Sequence, residues 1–302
     1  MFSLTQIHYF YAMINYSEPL FRPPSEAYSL ILQITNGCSW NRCTFCEMYT
    51  SKKFSLKKEE EVLREIEYAS KVAADTRKIF LADGDAMVLS TAKLLKILQA
   101  LKNSFPRLNR VSAYASPGNL RAKSINELQE LKEAGLTLIY VGIESGDDVV
   151  LQRISKGETY ATTAEGLLKA HAAGIKSSVM ILLGMGGKEL SLQHARNSAA
   201  ILNETQPHFA STLVLSFPFG EEHFQKRIGI PFELPDTPGL LTELRELLLH
   251  CKLKETIFRS DHASNYLSLK GILNRDQELL ISTIDEALNH PSMLRKEWMR
   301  GL

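Results

Sequence analysis

The most informative stretch of the chain is residues 36–49, whose sequence is Asn36-Gly37-Cys38-Ser39-Trp40-Asn41-Arg42-Cys43-Thr44-Phe45-Cys46-Glu47-Met48-Tyr49. This stretch holds three of the four cysteines of the 302-residue chain, spaced Cys38-x4-Cys43-x2-Cys46. The apolar run before it, residues 30–35, predicts a buried strand that ends in a turn. Structural zinc sites normally close with four protein ligands, whereas cysteine thiolates hold iron–sulfur clusters. Three cysteines on one loop therefore favour a cluster with one open iron, which is typical of a reactive site.

This loop after a strand resembles the three-cysteine loop of the radical SAM superfamily, in a variant form because the commoner spacing is three residues and then two. Phe45, just before the last cysteine, also matches the family. The resemblance implies that Cys38, Cys43 and Cys46 hold a [4Fe-4S] cluster whose open iron binds S-adenosylmethionine. An electron passed through the cluster would then cleave the sulfonium and give a 5′-deoxyadenosyl radical. The alternatives for these residues are a disulfide or a zinc knuckle, and both lack a fourth ligand close in sequence.

Composition and charge are those of an ordinary soluble globular protein. Apolar residues make up 44% of the chain and charged residues 23%. The net charge of +1 creates no bulk field toward nucleic acid or an anionic membrane. No apolar run approaches the ~20 residues that span a bilayer, and residues 1–20 lack the features of a signal peptide. Clustered cysteines indicate metal binding in a reducing compartment, so we expect a cytoplasmic protein.

Strands and helices alternate along most of the chain, which predicts an α/β fold of parallel βαβ units. The six predicted strands are residues 30–35, 78–82, 110–115, 137–143, 176–183 and 210–216. An open doubly wound sheet has the same local pattern, but the resemblance implies a partial (β/α)6 TIM-like barrel with a small, mainly helical C-terminal extension. The predicted division is a lead-in over 1–29, the barrel over 30–218 and an extension over 219–302 that covers the barrel mouth.

Polar and glycine-rich turns follow the predicted strands, and in such barrels these strand ends share one face. The resemblance implies that Asp83-Gly84-Asp85 lies where relatives, usually with Gly-Gly-Glu, hold the methionine amino group. Glu144 would bind the ribose or the amino group, and Lys156, or Arg153 in its place, the carboxylate. Capped turns, helix N-terminal acids and solvated charges are the structural alternatives. The full predicted cofactor set is Phe45, Asp83, Gly84, Asp85, Ser116, Glu144, Lys156 and Gly184, with Asn119 beside Ser116.

The tail contains a second group of polar residues. Residues 220–236 are predicted to form a loop or lid, and helices are predicted over 240–249, 274–289 and 293–302. Cys251 stands alone in sequence, and a core position is expected for it. The segment 258–267 is unusually rich in polar functions, which favours a substrate-facing loop over a hydrogen-bonded structural turn. The candidate substrate contacts are Arg259, His262, Asn265 and Tyr266.

Taken together, the sequence predicts a radical SAM enzyme that abstracts hydrogen from a small-molecule or peptide substrate. A reducing partner such as flavodoxin or ferredoxin is implied. Recognition of nucleic acid is disfavoured by the neutral total charge, although tRNA base modification stays open as an alternative substrate class. Two other classes also stay open: an iron–sulfur protein for electron transfer or sensing, and a zinc-stabilised α/β binding module.

Overall fold

The structure is a computed structural model that describes residues 14–300, so the first half of the predicted lead-in lies outside the described residues. It divides into two compact units. The first unit consists of residues 14–41, Cys46–Tyr140 and Gly166–Lys176. The second unit consists of Arg42–Phe45, Val141–Glu165 and residues 177–300. The three-part division predicted from the sequence follows chain order, and it stays a prediction.

The first unit is built on parallel strands. Leu30 lies opposite Ile79 and Lys78 opposite Arg110, in parallel register. Its strands are β1 (Leu30–Gln33), β2 (Thr35–Asn36), β3 (Ser55–Leu56), β4 (Lys78–Ala82), β5 (Arg110–Tyr114) and the start of β6 (Leu136–Glu144). β2 and β3 form a short antiparallel pair at the two ends of the cysteine loop. Its helices are α1 (Glu59–Val72), α2 (Thr91–Ser104), α3 (Pro117–Arg121) and α4 (Ile125–Glu133).

Local sequence explains these elements well. Four of the five residues of β4 are buried, as expected for an apolar run in a parallel sheet. Phe80 at its centre is fully buried and meets Tyr114 and Tyr140 edge to face, with ring centroids 5.0 Å and 6.0 Å away. Helix α4 begins with a capping box in which Ser124 and Glu127 each accept the backbone N–H of the other.

The second unit continues β6 and adds four strands. Its strands are β7 (Lys176–Leu183, from its second residue), β8 (Phe209–Val214), β9 (Thr256–Ser260) and β10 (Leu269–Leu273). β7, β8 and β9 are parallel neighbours, and β10 pairs antiparallel with β9. Its helices are α5 (Asp148–Arg153), α7 (Gly187–Thr205), α8 (Glu221–Ile228), α9 (Thr237–His250) and α10 (Gln277–Asn289), and α6 (Tyr160–Ala172) contributes to both units.

The six predicted parallel strands are all present as β1 and β4 to β8, which confirms the α/β fold class. The tail differs from the prediction in three places. The segment predicted as a loop or lid contains α8, and the extension predicted as mainly helical contains the β9–β10 hairpin. The helix predicted over 293–302 is wrong for its described part, which forms the short 3-10 turns Pro291–Met293 and Glu297–Met299. Within residues 14–300, no helix is both long and apolar enough to cross a membrane.

Candidate active site

The turn after β4 packs directly against the first cysteine of the loop. The backbone N–H of Gly84 donates to the carbonyl of Gly37 at 3.1 Å. A Cβ atom at Gly84 would lie 3.1 Å from Cβ of Cys38 and 2.6 Å from the ring of Tyr49. Only glycine allows so close an approach. The predicted glycine turn and the predicted ligand Cys38 are therefore neighbours within the first unit.

Asp83 is the first residue of this turn, and its carboxylate accepts several hydrogen bonds. One carboxylate oxygen, Oδ2, accepts hydrogen bonds from Lys52 Nζ at 2.7 Å, Gln33 Nε2 at 3.0 Å and the N–H of Gly37 at 3.1 Å. The side chains of Asp83 and Lys52 are buried, and Lys52 also donates to the carbonyl of Ser17. A buried ion pair with this many partners fixes geometry. The structure therefore gives Asp83 a role in holding the start of the cysteine loop.

Two buried polar atoms close to this turn have no hydrogen bond of normal geometry within the part of the chain that the structure describes. They are Oδ1 of Asp83 and the hydroxyl of Tyr49. Burial and the nearby negative charge of Asp83 raise the pKa of Tyr49 far above its usual value. The phenol is therefore neutral over the physiological pH range, and it keeps a proton to donate beside Cys38.

Asp85 belongs to a second internal network. Its Oδ1 accepts from the N–H of Ser116 at 3.2 Å, and its Oδ2 accepts from Ser39 Oγ at 2.6 Å and from Asn119 Nδ2. Ser116 Oγ in turn accepts from the N–H of Asn119 and caps α3. Burial raises the pKa of Asp85. The predicted cofactor residues Ser116 and Asn119 are thus brought together with Asp85, where they orient one another and Ser39 of the loop.

Phe45 lies in the second unit with Cys43. Its ring packs against an apolar cluster at the ends of β6 to β8, which explains the aromatic residue before the last cysteine. The buried members of this cluster are Val150, Leu151, Ile154, Leu182, Met185, Leu215, Phe224 and Ile228.

Glu144 is the last residue of β6 and has an unusual environment. It is buried and adopts a left-handed backbone conformation with φ of 66°, which is uncommon for a residue with a side chain. Its Oε1 accepts a hydrogen bond from Lys156 Nζ at 3.1 Å, whereas its buried Oε2 has no hydrogen-bond partner among residues 14–300. A Cβ at Gly142 would lie 1.9 Å from Oε1, so glycine is required there. One oxygen of a well-held carboxylate is thus available to a ligand.

A buried network fixes the turn that follows Glu144. Ser145 Oγ lies 2.7 Å from Nδ1 of His194 and accepts from the N–H of Asp147 at 3.0 Å. Asp147 caps α5 by accepting from the N–H of Val150. His194 is fully buried, and its Nε2 lies 3.1 Å from the carbonyl of Leu182 at the end of β7. His194 therefore ties the ends of β6 and β7 together.

The turn after β7 is held in a similar way. Gly184 has φ of 84°, which favours glycine, and its N–H donates to Oε1 of Glu243 at 2.6 Å. The other oxygen of Glu243 accepts from Ser191 Oγ at 2.5 Å. Burial raises the pKa of Glu243, and His194 Nε2 lies 3.6 Å from its Oε1. Sequence reasoning missed both His194 and Glu243, although each is a polar residue on the apolar face of its helix.

Arg153 and Lys156 prove to have different environments. Lys156 contacts Glu144, as described. Arg153 instead forms a bidentate ion pair with Glu189, in which its two terminal nitrogens lie 2.9 Å and 3.3 Å from the carboxylate oxygens. Arg153 also lines a surface cavity of about 450 Å³ at the start of α7. The other residues that line this cavity are Gly186, Gly187, Lys188, Glu189, Pro231, Phe232 and Glu233.

Of the four tail candidates, Asn265 has a clearly structural role. Its buried amide donates to the carbonyl of Thr212 at 2.7 Å and accepts from the N–H of Val214 at 2.9 Å. The side chain therefore hydrogen-bonds to the backbone at the end of β8. This arrangement uses the amide within the fold. The hydrogen-bonded turn weighed against a substrate-facing role therefore describes Asn265 well.

The other three candidates lie closer to the surface. Nδ1 of His262 lies 2.9 Å from Ser264 Oγ, and burial lowers the pKa of His262. The guanidinium of Arg300 stacks 3.9 Å from the ring centroid of Tyr266. Arg259 is exposed and lies 3.8 Å from Asp261. The C-terminal segment braces this loop, because Arg295 and Arg300 also donate to its carbonyl groups.

The four cysteines fall into two environments. Cys251 is buried, and burial raises its pKa to about 12, as expected of a core thiol. Cys38, Cys43 and Cys46 are partly exposed, and none of the four forms a disulfide. Among residues 14–300, no three His, Cys, Asp or Glu side chains are grouped so that they could hold a metal ion. The three loop thiols nevertheless have the donor chemistry of a cluster site, since thiolates are the ligands of iron–sulfur clusters.

Comparison with known proteins places these observations in one family. The sequence model of the Radical SAM superfamily matches residues 32–196, more than half of the chain. The chain belongs to the radical SAM superfamily. Its fold is similar to that of the radical SAM enzyme coproporphyrinogen III oxidase HemN from Escherichia coli, with a TM-score of 0.57 and 16% identity over 73% of this chain and 51% of that one.

Two curated proteins show the range of its relatives. The heme chaperone HemW of Bacillus subtilis (strain 168) is 24% identical over 172 residues, which are 56% of this chain and 45% of HemW. GTP 3′,8-cyclase of Rhizobium etli (strain CIAT 652) is 26% identical over 198 residues, which are 63% of this chain and 55% of the cyclase. The chain thus spans about half the length of the curated relatives it matches.

Membership confirms the family indicated by the cysteine loop. The superfamily uses a [4Fe-4S] cluster and S-adenosylmethionine, and its enzymes generally act on a further substrate and require a reductant. The classes of a zinc-stabilised binding module and of a non-catalytic iron–sulfur protein are not favoured by this finding.

Proposed function

We propose that this protein is a radical SAM enzyme that holds a [4Fe-4S] cluster on Cys38, Cys43 and Cys46 and cleaves S-adenosylmethionine reductively. The main observation behind the proposal is that the cysteine thiols of the chain have different environments. The three loop cysteines are partly exposed, free of disulfides and inside the region matched to the family, whereas Cys251 is buried in the core. Three protein ligands leave the fourth iron open to the cofactor.

Glu144 and Lys156 act together in the proposed cofactor site. The carboxylate is buried at a strand end, and its Oε2 has no partner in the described part of the chain. This oxygen is suited to accept hydrogen bonds from ribose hydroxyls or from the amino group of S-adenosylmethionine. Because Lys156 Nζ contacts Oε1, we assign it first to orienting Glu144 and only second to pairing with the methionine carboxylate.

Each unit has a glycine-containing turn that offers backbone groups to a cofactor. Gly84 lets the β4 turn approach Cys38, while Asp83 and Asp85 hold that turn and the loop in place. Gly184 gives the β7 turn the conformation that would let an adenine lie against backbone. When bound, the cluster supplies the electron that cleaves the sulfonium. The role of these residues is to bind, orient and shield the reacting groups.

A small molecule or a peptide is the substrate class that we favour. The net charge of +1 supports this choice, because nucleic-acid binding usually rests on a basic surface. Arg259, His262 and Tyr266 of the tail stay the preferred substrate contacts, whereas Asn265 is withdrawn from that set. Flavodoxin or ferredoxin is the proposed reductant, and tRNA base modification is the alternative substrate class.

Single cysteine variants test the ligand assignment. Cys38→Ala, Cys43→Ala and Cys46→Ala should each lose the visible absorbance and the iron of the anaerobically reconstituted protein, and with them 5′-deoxyadenosine formation. Cys251→Ala is the matched control and should retain all three signals. Loss of the cluster in Cys251→Ala without unfolding, or its retention in two of the loop variants, would contradict the assignment.

A further inference from the structure

The middle cysteine of the loop is held by residues far away in sequence. The carbonyl oxygen of Cys43 accepts a hydrogen bond from Nη2 of Arg227 at 2.7 Å. The next residue, Thr44, donates its N–H to the carbonyl of Ile154 at 2.9 Å. Phe45 then packs into the apolar cluster described above. Three consecutive residues, 43–45, are therefore fixed within the second unit.

Arg227 is presented by α8, in the segment that the sequence predicts as a loop or lid. The helix is held in place by Phe224 and Ile228, which are buried in the apolar cluster against which Phe45 packs. Arg227 lies between them in sequence and is less exposed than its neighbour Lys226. The apolar face of α8 thus fixes the point from which the guanidinium reaches the loop.

The spacing of the cysteines makes such a contact useful. Four residues separate Cys38 from Cys43, one more than in the commoner loop of the family. Within the first unit, Asn41 adopts a left-handed conformation with φ of 48°, which asparagine tolerates better than most residues, and its amide donates to the carbonyl of Tyr49 at 2.9 Å. A longer loop has more conformations to lose on ordering, so it needs added contacts to present Cys43 in one orientation.

We propose that Arg227 is a positioning residue for the cluster ligand Cys43, and that α8 stabilises the cysteine loop. This inference rests on the proposed function, since it takes Cys43 to be a ligand. A guanidinium bound to a carbonyl forms a charge-assisted hydrogen bond, which is stronger than a neutral one. The bond orients the backbone of Cys43 and thereby the direction of its thiolate. Without it, the loop would release the cluster more readily.

The test compares cluster retention in three full-length variants with the wild-type protein. Arg227→Gln removes the charge, Arg227→Lys keeps the charge with a single donor group, and Lys226→Gln changes an exposed charge on the same helix. Each protein is reconstituted anaerobically, and the loss of visible absorbance is followed after addition of an iron(II) chelator. Thermal unfolding of the iron-free proteins is measured in parallel.

We expect Arg227→Gln to lose its cluster on the order of tenfold faster than the wild-type protein, because the variant lacks the charge-assisted hydrogen bond to the Cys43 carbonyl. Arg227→Lys should lie between the two, and Lys226→Gln should match the wild type. The electron paramagnetic resonance signal of the reduced cluster should broaden in Arg227→Gln, which a general loss of stability would not cause.

Three outcomes would overturn the inference. Equal retention in Arg227→Gln and the wild type would show that the contact does not hold the ligand. If Arg227→Gln fails to fold without iron, the comparison is made with Arg227→Lys, and cluster loss at the wild-type rate in that variant would contradict the intermediate rate expected of it. A wild-type protein that takes up no cluster would remove the proposed function itself, which is a distinguishable result because it appears before any variant is compared.

Discussion

The turn after β4 and the turn after β6 both begin with a buried acid, but the two acids have different surroundings. Three donors converge on one oxygen of Asp83, and one of them is the buried ammonium of Lys52. The other oxygen of Asp83, Oδ1, has no hydrogen bond of normal geometry among residues 14–300, but the neutral phenol of Tyr49 lies beside this carboxylate and can donate to it. Glu144 accepts a hydrogen bond from Lys156 through Oε1, and its buried Oε2 has no hydrogen-bond partner within the same residues. An acid at the end of a strand is thus supplied with donors by the protein in the first turn, whereas in the second turn one of its oxygens lacks a donor.

The source of the hydrogen-bond donors distinguishes structural from ligand-binding carboxylates. A structural carboxylate has its donors supplied by the protein, so its removal leaves buried partners unpaired. A ligand-binding carboxylate has an oxygen whose donor arrives with the ligand. Removal of the first kind should therefore lower stability, and removal of the second kind should lower affinity for the ligand.

Asp83→Ala should cause the largest loss of stability. The substitution leaves the buried ammonium of Lys52 without its carboxylate, and breaking a buried pair typically costs about 3–5 kcal/mol. Chemical denaturation of the iron-free protein measures the free energy of unfolding. Asp75→Ala is the control, because the pair of Asp75 with Arg107 is exposed and worth about 0–1 kcal/mol. Equal losses in the two variants would contradict a structural role for Asp83.

Glu144→Gln should act on affinity instead. The variant keeps the size of the side chain but loses the charge, and we expect about ten- to a hundredfold weaker binding of S-adenosylmethionine to the cluster-loaded protein, with a smaller change in unfolding free energy than in Asp83→Ala. Anaerobic calorimetry measures the binding. Glu189→Gln, which alters an exposed carboxylate paired with Arg153, should bind like the wild type. Unchanged affinity in Glu144→Gln would remove this residue from the site.

Asn265→Ala should again reduce stability and leave cofactor cleavage intact. The substitution unpairs the buried N–H of Val214 and the carbonyl of Thr212, at a cost of about 1–3 kcal/mol. Thermal unfolding measures the loss, and 5′-deoxyadenosine formation is measured well below the unfolding temperature. If the stability were unchanged while turnover of the substrate fell, Asn265 would return to the set of substrate contacts.

Glu243→Gln should produce the smallest effect, a change in how stability depends on pH. Because burial raises the pKa of Glu243, the folded protein binds this proton more tightly than the unfolded chain does. The stabilising contribution is complete below the pKa of the unfolded glutamate and is lost as pH rises through the folded pKa. Glutamine does not titrate, and it can still accept from Gly184 N–H.

The free energy of unfolding of Glu243→Gln should therefore rise relative to that of the wild type as pH increases from about 4. Denaturation series at several pH values measure this difference. The imidazole of His194 lies 3.6 Å from the same carboxylate, so a His194→Gln series is the control that removes this neighbour and keeps Glu243. Parallel curves for Glu243→Gln and the wild type over this pH range would contradict the predicted shift.

The local sequence predicts much of the fold but few of the hydrogen bonds that hold the residues of the candidate site. β4 and β7 have the predicted bounds, because their apolar runs end at clear turn residues. The hairpin β9–β10 was missed because its strands are short and separated by a polar loop. The hydrogen-bond partners of Asp83 could not be predicted, because Gln33 and Lys52 lie 50 and 31 residues away in sequence.

The predicted site residues show the same division. The spacing of the cysteines indicates the loop, and the position of Glu144 at a strand end makes it a candidate whose role in the site stays a prediction. His194 and Glu243 could not, since the meaning of a polar residue on an apolar helix face depends on which backbone groups the fold brings to it. Gly184, for example, is 59 residues from Glu243 in sequence. Tertiary contacts of this kind leave no periodic pattern.

The proposal that the three loop cysteines hold a cluster that binds and cleaves S-adenosylmethionine can be tested in one experiment. The anaerobically reconstituted protein is reduced with dithionite, and its electron paramagnetic resonance spectrum and the formation of 5′-deoxyadenosine are recorded with and without S-adenosylmethionine. We expect the cofactor to change the spectrum of the reduced cluster, because it binds the open iron, and we expect 5′-deoxyadenosine to form in the wild-type protein but not in Cys43→Ala. A full cluster whose spectrum does not respond to S-adenosylmethionine, with no 5′-deoxyadenosine formed, would contradict the account.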